Sequence, residues 1–380
     1  MQLRHGKTVR VSVRYYRQER QRRRGRRRGT GKRGKEGAGF LPALRLLGVV
    51  AEASPALVEI VTLDCLRDSY SEACGALALR GVEMSEKRVR SVAVALGRAA
   101  LADRERTVAD GEVTGEAGGK RIVVAMDGGR VLIRTDKRGR KTLAGRHAYS
   151  ADWREPKLFI IYEIDEKGRK KRKGLVRCDG TIGNPDDIIR LLVSELKRLD
   201  AGAAVSLAFL GDGAKWIWNR LDAIVAEVGI APERVTRCLD YYHAVEHLAV
   251  VADAIPFRSE SERREWLDRM KRLLKKARPA DFLAALGKSR RRGNAVIRRE
   301  YTYFKTNIDS IDYAALLARK LPIGSGAIES AVRRVVNLRI KGAGTFWKLE
   351  NAEAMLHLRC QLKTHNWSSF YERLLERMAG

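Results

Sequence analysis

The sequence predicts an α/β fold in which a mixed β-sheet core is interrupted by an all-helical segment and preceded by a helical region. Two apolar runs, 121–126 and 205–210, each end in an aspartate flanked by glycine, as buried strands that stop at a sheet edge do. These strands alternate with helical segments, which favours one mixed sheet over separate layers. Residues 244 to about 318 keep helical spacing, and the strand pattern does not resume there.

Charge is the unusual feature of the composition. The 380 residues include 76 Lys and Arg against 46 Asp and Glu, a formal net charge of +30. Such an excess repels itself unless a polyanion neutralises it, and release of counterions from phosphates drives binding to nucleic acid. A ribosome-associated protein or a generally basic proteome would explain the charge, but neither explains the motifs below.

Other features exclude several protein classes. No apolar stretch reaches the roughly 18 residues of a membrane span, and the arginine-rich start lacks the apolar core of a signal peptide. The scattered cysteines contain no Cys-x-x-Cys pair, which disfavours disulfides and a structural zinc site. We therefore expect a cytoplasmic, nucleoid-associated protein. The cysteines are Cys65, Cys74, Cys178, Cys238 and Cys360.

Residues 1–38 form a basic arm whose charge peaks in the run 22–28. Such a run cannot bury a core, so the arm is predicted to be disordered on its own and to follow phosphates without sequence preference. The alternative is a solvated tail without a role.

Residues 39–118 are predicted to be a helical DNA-binding region. Ser69 and Glu72 match a capping box, Gly81 ends that helix, and Ser85 can cap the next. A helix, a glycine turn and a basic-tipped helix suit a helix-turn-helix that reads the major groove, although any helical hairpin has the same pattern. The basic residues in the first turns of the second helix are Lys87, Arg88 and Arg90.

The remaining chain, 119–380, is predicted to be the catalytic domain, with a helical insertion at about 248–318. Pro185 suits the first position of a helix. Further strands are predicted at 158–164 and 173–178, and further helices at 186–199 and 214 to about 227.

Asp127 and Asp212 follow the two apolar runs and are the first candidate site residues. Two acids brought together raise each other's pKa unless a cation intervenes, and Mg²⁺ prefers carboxylate oxygens. Taken alone, each aspartate is better explained as a turn or helix-cap residue.

Glu329 is the third candidate acid. It follows the glycine-rich segment 322–328, which predicts a turn that opens a helix through about Leu338. Acids at two strand ends and one helix form the set used for two-metal phosphoryl transfer. An anion-binding turn or a simple helix start remains the alternative for this segment taken alone.

The segment Asp240 to His247 carries a competing motif. His243, Glu246 and His247 match the inverted zinc-peptidase pattern, with the two histidines one helical turn apart. A zinc peptidase would leave the charge, the arm and the Asp-Gly strand ends unexplained, so it ranks below the nuclease-like hypothesis. Packing of His247 on a helix face is a further possibility.

Four ordered blocks resemble bacterial insertion-sequence transposases of the ISKra type, relatives of the Mutator class. A fifth block, in the tail, is also similar, whereas the family's usual cysteines after a Tyr-Tyr pair are missing beyond Tyr15 and Tyr16. The blocks are Met126-Asp127-Gly128-Gly129-Arg130-Val131, Leu210-Gly211-Asp212-Gly213-Ala214, Asp240-Tyr241-Tyr242-His243, Pro322-Ile323-Gly324-Ser325-Gly326-Ala327-Ile328-Glu329, and the tail block 339–347.

The resemblance implies an RNase H-like core with a helical insertion between the second aspartate and the glutamate. It assigns Asp127, Asp212 and Glu329 as ligands of two Mg²⁺ or Mn²⁺ ions. It also places Asp240-x-x-His243 near the active site, where we expect His243 to position DNA or water.

The implied activity is that of a DNA transposase: hydrolysis of phosphodiester bonds at the element's terminal inverted repeats, followed by strand transfer into target DNA. The expected partners are double-stranded DNA and further copies of the chain, because two element ends must be brought together. Arg339 and Lys341 are expected to contact DNA, and Trp347 is predicted to be a core residue rather than a stacking platform. The alternative function is a catalytically inactive, transposase-derived DNA-binding protein.

Overall fold

The computed structural model describes residues 1–16, 41–135, 141, 143, 145, 150–292, 294–342, 345–364 and 366–379. Residues 17–40, which hold most of the predicted basic arm, lie outside the described residues. The chain divides into two compact units, one formed by Met1–Glu105 with Asn366–Gly380 and the other by Arg106–His365. The predicted boundaries at residues 38 and 118 stay predictions.

The first unit is helical in its described part. The capping box is confirmed, because the Ser69 hydroxyl accepts a hydrogen bond from the Glu72 amide (3.1 Å) and the Glu72 carboxylate accepts one from the Ser69 amide (2.9 Å). The Ser85 hydroxyl accepts from the Arg88 amide, so the second predicted cap is also present. The helices of this unit are α1 (Pro42–Leu46), α2 (Pro55–Arg67), α3 (Tyr70–Ala78), the first part of α4 (Glu86–Asp110) and α15 (Trp367–Ala379).

A five-stranded mixed sheet forms the centre of the second unit. Its strand order is β5-β4-β1-β6-β7, with β1 antiparallel to β4 and parallel to β6, and β6 parallel to β7. A separate hairpin pairs β2 with β3. The strands are β1 (Arg121–Gly128), β2 (Val131–Thr135), β3 (Ser150–Arg154), β4 (Lys157–Ile164), β5 (Val176–Thr181), β6 (Ser206–Gly211) and β7 (Val235–Leu239).

The mixed α/β class is therefore confirmed, and so are the four strands predicted in the sheet. Strand β1 is buried on both faces, which explains its unbroken apolar run. Strand β7 and the β2–β3 hairpin were not predicted. Thr236 and Arg237 interrupt the apolar pattern of β7, and three of the five β3 residues are exposed.

The hydrophobic core lies between the sheet and α5 (Pro185–Arg198), the helix predicted from Pro185. Ile188, Leu192 and Leu196 recur on one face of α5 and are fully buried against the strands. Each such side chain contributes about 1.5–3 kcal/mol of burial free energy, so the packing of α5 stabilises the sheet.

Helices supply the rest of the second unit. The predicted helix at 214–227 is two helices, and the helix that carries Glu329 ends at Val332 and continues as a π-helical turn, Arg333–Asn337. Within the described residues, no helix is long and apolar enough to cross a membrane. The helices are α6 (Lys215–Trp218), α7 (Leu221–Val228), α8 (Tyr241–Ala254), α9 (Glu260–Lys276), α10 (Pro279–Gly287), α11 (Ala295–Thr306), α12 (Tyr313–Ala318), α13 (Gly326–Val332) and α14 (Leu349–Lys363).

Candidate active site

Three acids stand at one edge of the sheet. Asp127 is the next-to-last residue of β1, Asp212 directly follows β6, and Asp240 directly follows β7. Because these three strands are parallel, their carboxyl ends lie at the same edge. The unpredicted strand β7 is what places Asp240 beside the two predicted aspartates.

A cavity of about 560 Å³ opens at this edge, and we call it the acidic cavity. It brings together the four residues predicted to be catalytic, two from strand ends and two from helices. Its lining includes Asp127, Asp212, Asp240, His243, Glu246, Ser325, Gly326 and Glu329.

The charged form of Asp127 is disfavoured by burial. Burial is the main cause that raises its pKa, to about 6, and the nearby carboxylates of Asp212 and Glu329 raise it further. The Gly128 amide donates to its Oδ1 at 2.7 Å and works in the opposite direction. An ionised Asp127 therefore gains more than an exposed aspartate would from a nearby cation.

Asp212 is fixed by contacts on both its side chain and its backbone. Its Oδ1 accepts a hydrogen bond from the Ala214 amide at 2.9 Å. Its carbonyl oxygen accepts one from the Tyr303 hydroxyl at 3.0 Å, so α11 of the helical segment holds this strand end in place. Gly213 allows the turn, because its φ of +90° lies in the region that favours glycine.

Glu329 lies in the first turn of α13 and is exposed. The Ser325 hydroxyl contacts both its Oε1 and the Oδ2 of Asp240, the latter at 2.7 Å. Asp240 also accepts hydrogen bonds from the amides of Ser325 and Tyr242 and is only 5 % exposed. A buried carboxylate thus joins the start of the glutamate-bearing helix to the start of α8.

His243 and His247 lie one turn apart on α8, with their Nε2 atoms 3.3 Å apart. The Nδ1 atom of His247 contacts the buried carboxylate of Glu300, and its ring stacks on Tyr303 with centroids 3.7 Å apart. His247 therefore has the packing contacts that one alternative expected. His243 lines the acidic cavity.

The oxygen donors of the acidic cavity suit a hard divalent cation chemically. Among the described residues, no group of three or more His, Cys, Asp or Glu side chains is placed to hold a metal ion. The three predicted ligands instead accept hydrogen bonds from Gly128, Ala214 and Ser325. The carboxylate oxygens of the three residues thus fit such an ion by their chemistry, and metal binding stays a prediction.

The remaining predicted residues do not line the acidic cavity. Arg339 is 8 % exposed, and its guanidinium lies 5.0 Å from the centroid of the Trp347 ring. Trp347 is 6 % exposed and donates from Nε1 to the Ile340 carbonyl, as the core prediction expected. Lys341, Lys87 and Arg90 are exposed, whereas Arg88 is half-buried; a DNA-binding role for them stays a prediction.

Three residues of the site were not identified from the sequence. Ser325 lies in the glycine-rich segment 322–328, and the glycines on either side of it were the only indication of a turn there. Glu300 and Tyr303 lie in the helical segment, 53 residues from His247 and 91 from Asp212 respectively, and no local pattern distinguishes them.

Comparison with protein-family models finds no match, and comparison with curated proteins finds none. Among solved structures, the chain is similar to one in the Drosophila P element transposase strand transfer complex, at 13% identity, over 84% of this chain and 80% of that chain, with a TM-score of 0.24. A likeness this distant carries no argument about fold or activity.

Proposed function

We propose that this chain is a DNA transposase of the insertion-sequence type, in which Asp127, Asp212 and Glu329 hold two divalent cations. The observation that carries the proposal is the acidic cavity, where acids from the ends of two adjacent parallel strands meet an acid from the first turn of a helix. A protein that only binds DNA gains nothing from three mutually repelling carboxylates.

The fold supports the same function. A five-stranded mixed sheet, with a helical segment between the second aspartate and the glutamate, is compatible with an RNase H-like core that carries an insertion. Tyr303 of that segment contacts the Asp212 backbone, so the segment also bears on the geometry of the site.

The residues of the cavity suit phosphoryl transfer. Bound Mg²⁺ or Mn²⁺ would supply positive charge to activate water or a 3′-hydroxyl and to stabilise the leaving oxygen. Glu329 is exposed to the approaching strand, Ser325 restrains its carboxylate, and His243 orients water or a phosphate oxygen in the same cavity.

The proposed partners follow from charge and from the reaction. The net charge of +30 favours double-stranded DNA, both the terminal inverted repeats of the element and the target. Joining two element ends to one target requires more than one catalytic chain, so we include a homo-oligomer in the proposal.

A cleavage and strand-transfer assay tests this function. Labelled DNA from the two flanks of the gene would be incubated with wild type, Asp212→Asn or Asp309→Asn, the last at an exposed carboxylate outside the cavity. We expect nicks that leave 3′-hydroxyls with Mg²⁺ or Mn²⁺, lost in Asp212→Asn and kept in Asp309→Asn, while Asp212→Asn still binds DNA. Tight, salt-sensitive binding without cutting by wild type under either metal would indicate the catalytically inactive alternative.

A further inference from the structure

A second cavity, of about 600 Å³, shares Asp127 and Asp212 with the acidic cavity but has a different chemistry on its other walls. We call it the tryptophan cavity, because Trp153 and Trp216 line it. The pair of aspartates therefore stands between an acidic cavity on one side and an aromatic, basic cavity on the other.

Trp153 is the more exposed of the two tryptophans in the tryptophan cavity. It lies on β3, opposite Leu132 of β2, and is 56 % exposed. Leaving so much indole in water forgoes the free energy that an aromatic side chain gains when its faces are covered. Trp216 on α6 is half-buried and faces the Lys157 ammonium, 5.9 Å from the ring centroid. The uncovered aromatic surface belongs to Trp153.

Three exposed cations surround the same cavity. Arg130 follows β1, Arg154 ends β3, and Lys341 follows the π-helical turn. Its acids, apart from the two aspartates, include Glu155, which is paired with Lys157 at 3.3 Å. Phosphate oxygens are the ligands that such cations take from a nucleic-acid strand.

The combination of an aromatic face with cations selects one kind of ligand. A paired base keeps both faces inside the stack, whereas an unpaired or extruded base offers a face to a protein ring. Stacking on an aromatic side chain strengthens binding by roughly 5- to 150-fold per base and tolerates any sequence. The volume lies within the range of ligand pockets, roughly 300–1,000 Å³, and accommodates a nucleotide.

We infer that the tryptophan cavity binds an unpaired nucleotide of the DNA strand, whose base stacks on Trp153 and whose phosphates contact Arg154 and Lys341. The inference rests on the proposed function, because Asp127 and Asp212 form the wall next to the reacting phosphate. The site therefore recognises locally opened DNA rather than a particular base sequence.

Equilibrium binding without metal tests the inference. The probes are a fully paired duplex and the same duplex with one extra, unpaired 2-aminopurine, both measured in EDTA. Wild type is expected to prefer the interrupted duplex by about tenfold, the equivalent of roughly 1.4 kcal/mol, and to lower the 2-aminopurine fluorescence. Trp153→Ala is expected to remove both effects, and Trp153→Phe to keep part of the preference.

Trp266→Ala is the matched control, because Trp266 packs against Phe257 in the helical segment and should leave the preference unchanged. Equal affinity of wild type for the two duplexes, or an undiminished preference in Trp153→Ala, overturns the inference. If wild type nicks DNA with metal but binds the two duplexes with equal affinity, this inference is wrong while the proposed function stands. If wild type prefers the interrupted duplex through Trp153 but never nicks DNA, the proposed function is wrong while this inference stands.

Discussion

Asp127 connects the stability of the chain to pH. Its pKa is raised from 3.8 to about 6, with burial as the first cause. Between these values the folded state holds a proton that the unfolded state has released, so stability falls as pH rises through this window. Above about pH 6 the loss is complete, and it amounts to at most about 3 kcal/mol.

Asp127→Asn removes this titration while keeping the side-chain shape. We expect the variant to be more stable than wild type at pH 7.5 in EDTA, with a difference that disappears as the pH falls to about 4. Urea unfolding at a series of pH values measures it. Asp309→Asn controls for the loss of one negative charge from a basic chain. A stability difference between Asp127→Asn and wild type that does not change with pH would show that the Asp127 carboxyl does not titrate in this way.

Ser325 holds the glutamate of the site, and its loss tests that role. Ser325→Ala removes the hydroxyl that contacts Glu329 and the buried Asp240. We expect it to cost about 1–3 kcal/mol of stability and to slow cleavage about 10- to 100-fold. Ser330→Ala, on the same helix, is the control; the role is wrong if the two variants unfold and cleave alike.

At the scale of elements, the end of β6 depends on a glycine. A Cβ at Gly213 would come within 3.0 Å of Leu239 Cδ1 and 3.2 Å of Tyr303 Cε2, whereas one at Gly229 meets nothing within 4 Å. Both glycines have positive φ, so both alanine variants share the backbone cost of about 1 kcal/mol.

Gly213→Ala should therefore be less stable than Gly229→Ala by at least about 1 kcal/mol, because crowding adds to the shared backbone cost. Displacement of Tyr303 should also reduce cleavage, since its hydroxyl supports the Asp212 carbonyl. Urea midpoints for the two variants measure the difference. Equal destabilisation would show that the strand end has room to adjust.

Elements with a strong local pattern could be predicted from the sequence. Buried parallel strands give continuous apolar runs, which is why β1 and β6 and their terminal aspartates were identified. Strand β7 was not predicted, because Thr236 and Arg237 break its apolar pattern. The position of Asp240 at the sheet edge was therefore not predicted either. The Ser325–Asp240 contact joins residues 85 apart, and only tertiary folding reveals such a pair.

At the scale of the whole molecule, we expect the net positive charge to determine how the chain binds DNA. Arg22–Arg28, outside the described residues, holds six arginines in seven positions. Replacing these six with glutamine should lower the slope of log affinity against log salt by up to about 5, without changing sequence preference. Replacement with lysine keeps the charge and should keep the slope. Filter binding between 50 and 200 mM salt measures the slope. An unchanged slope in the glutamine variant would mean that the arm does not contact phosphates.

We propose that Asp127, Asp212 and Glu329 together hold divalent cations, and electron paramagnetic resonance of bound Mn²⁺ measures whether they do. We predict two Mn²⁺ ions per chain on a DNA complex, with binding lost or greatly weakened in Asp127→Asn, Asp212→Asn and Glu329→Gln and retained in Asp309→Asn. Mn²⁺ bound equally by wild type and all three cavity variants would contradict the claim.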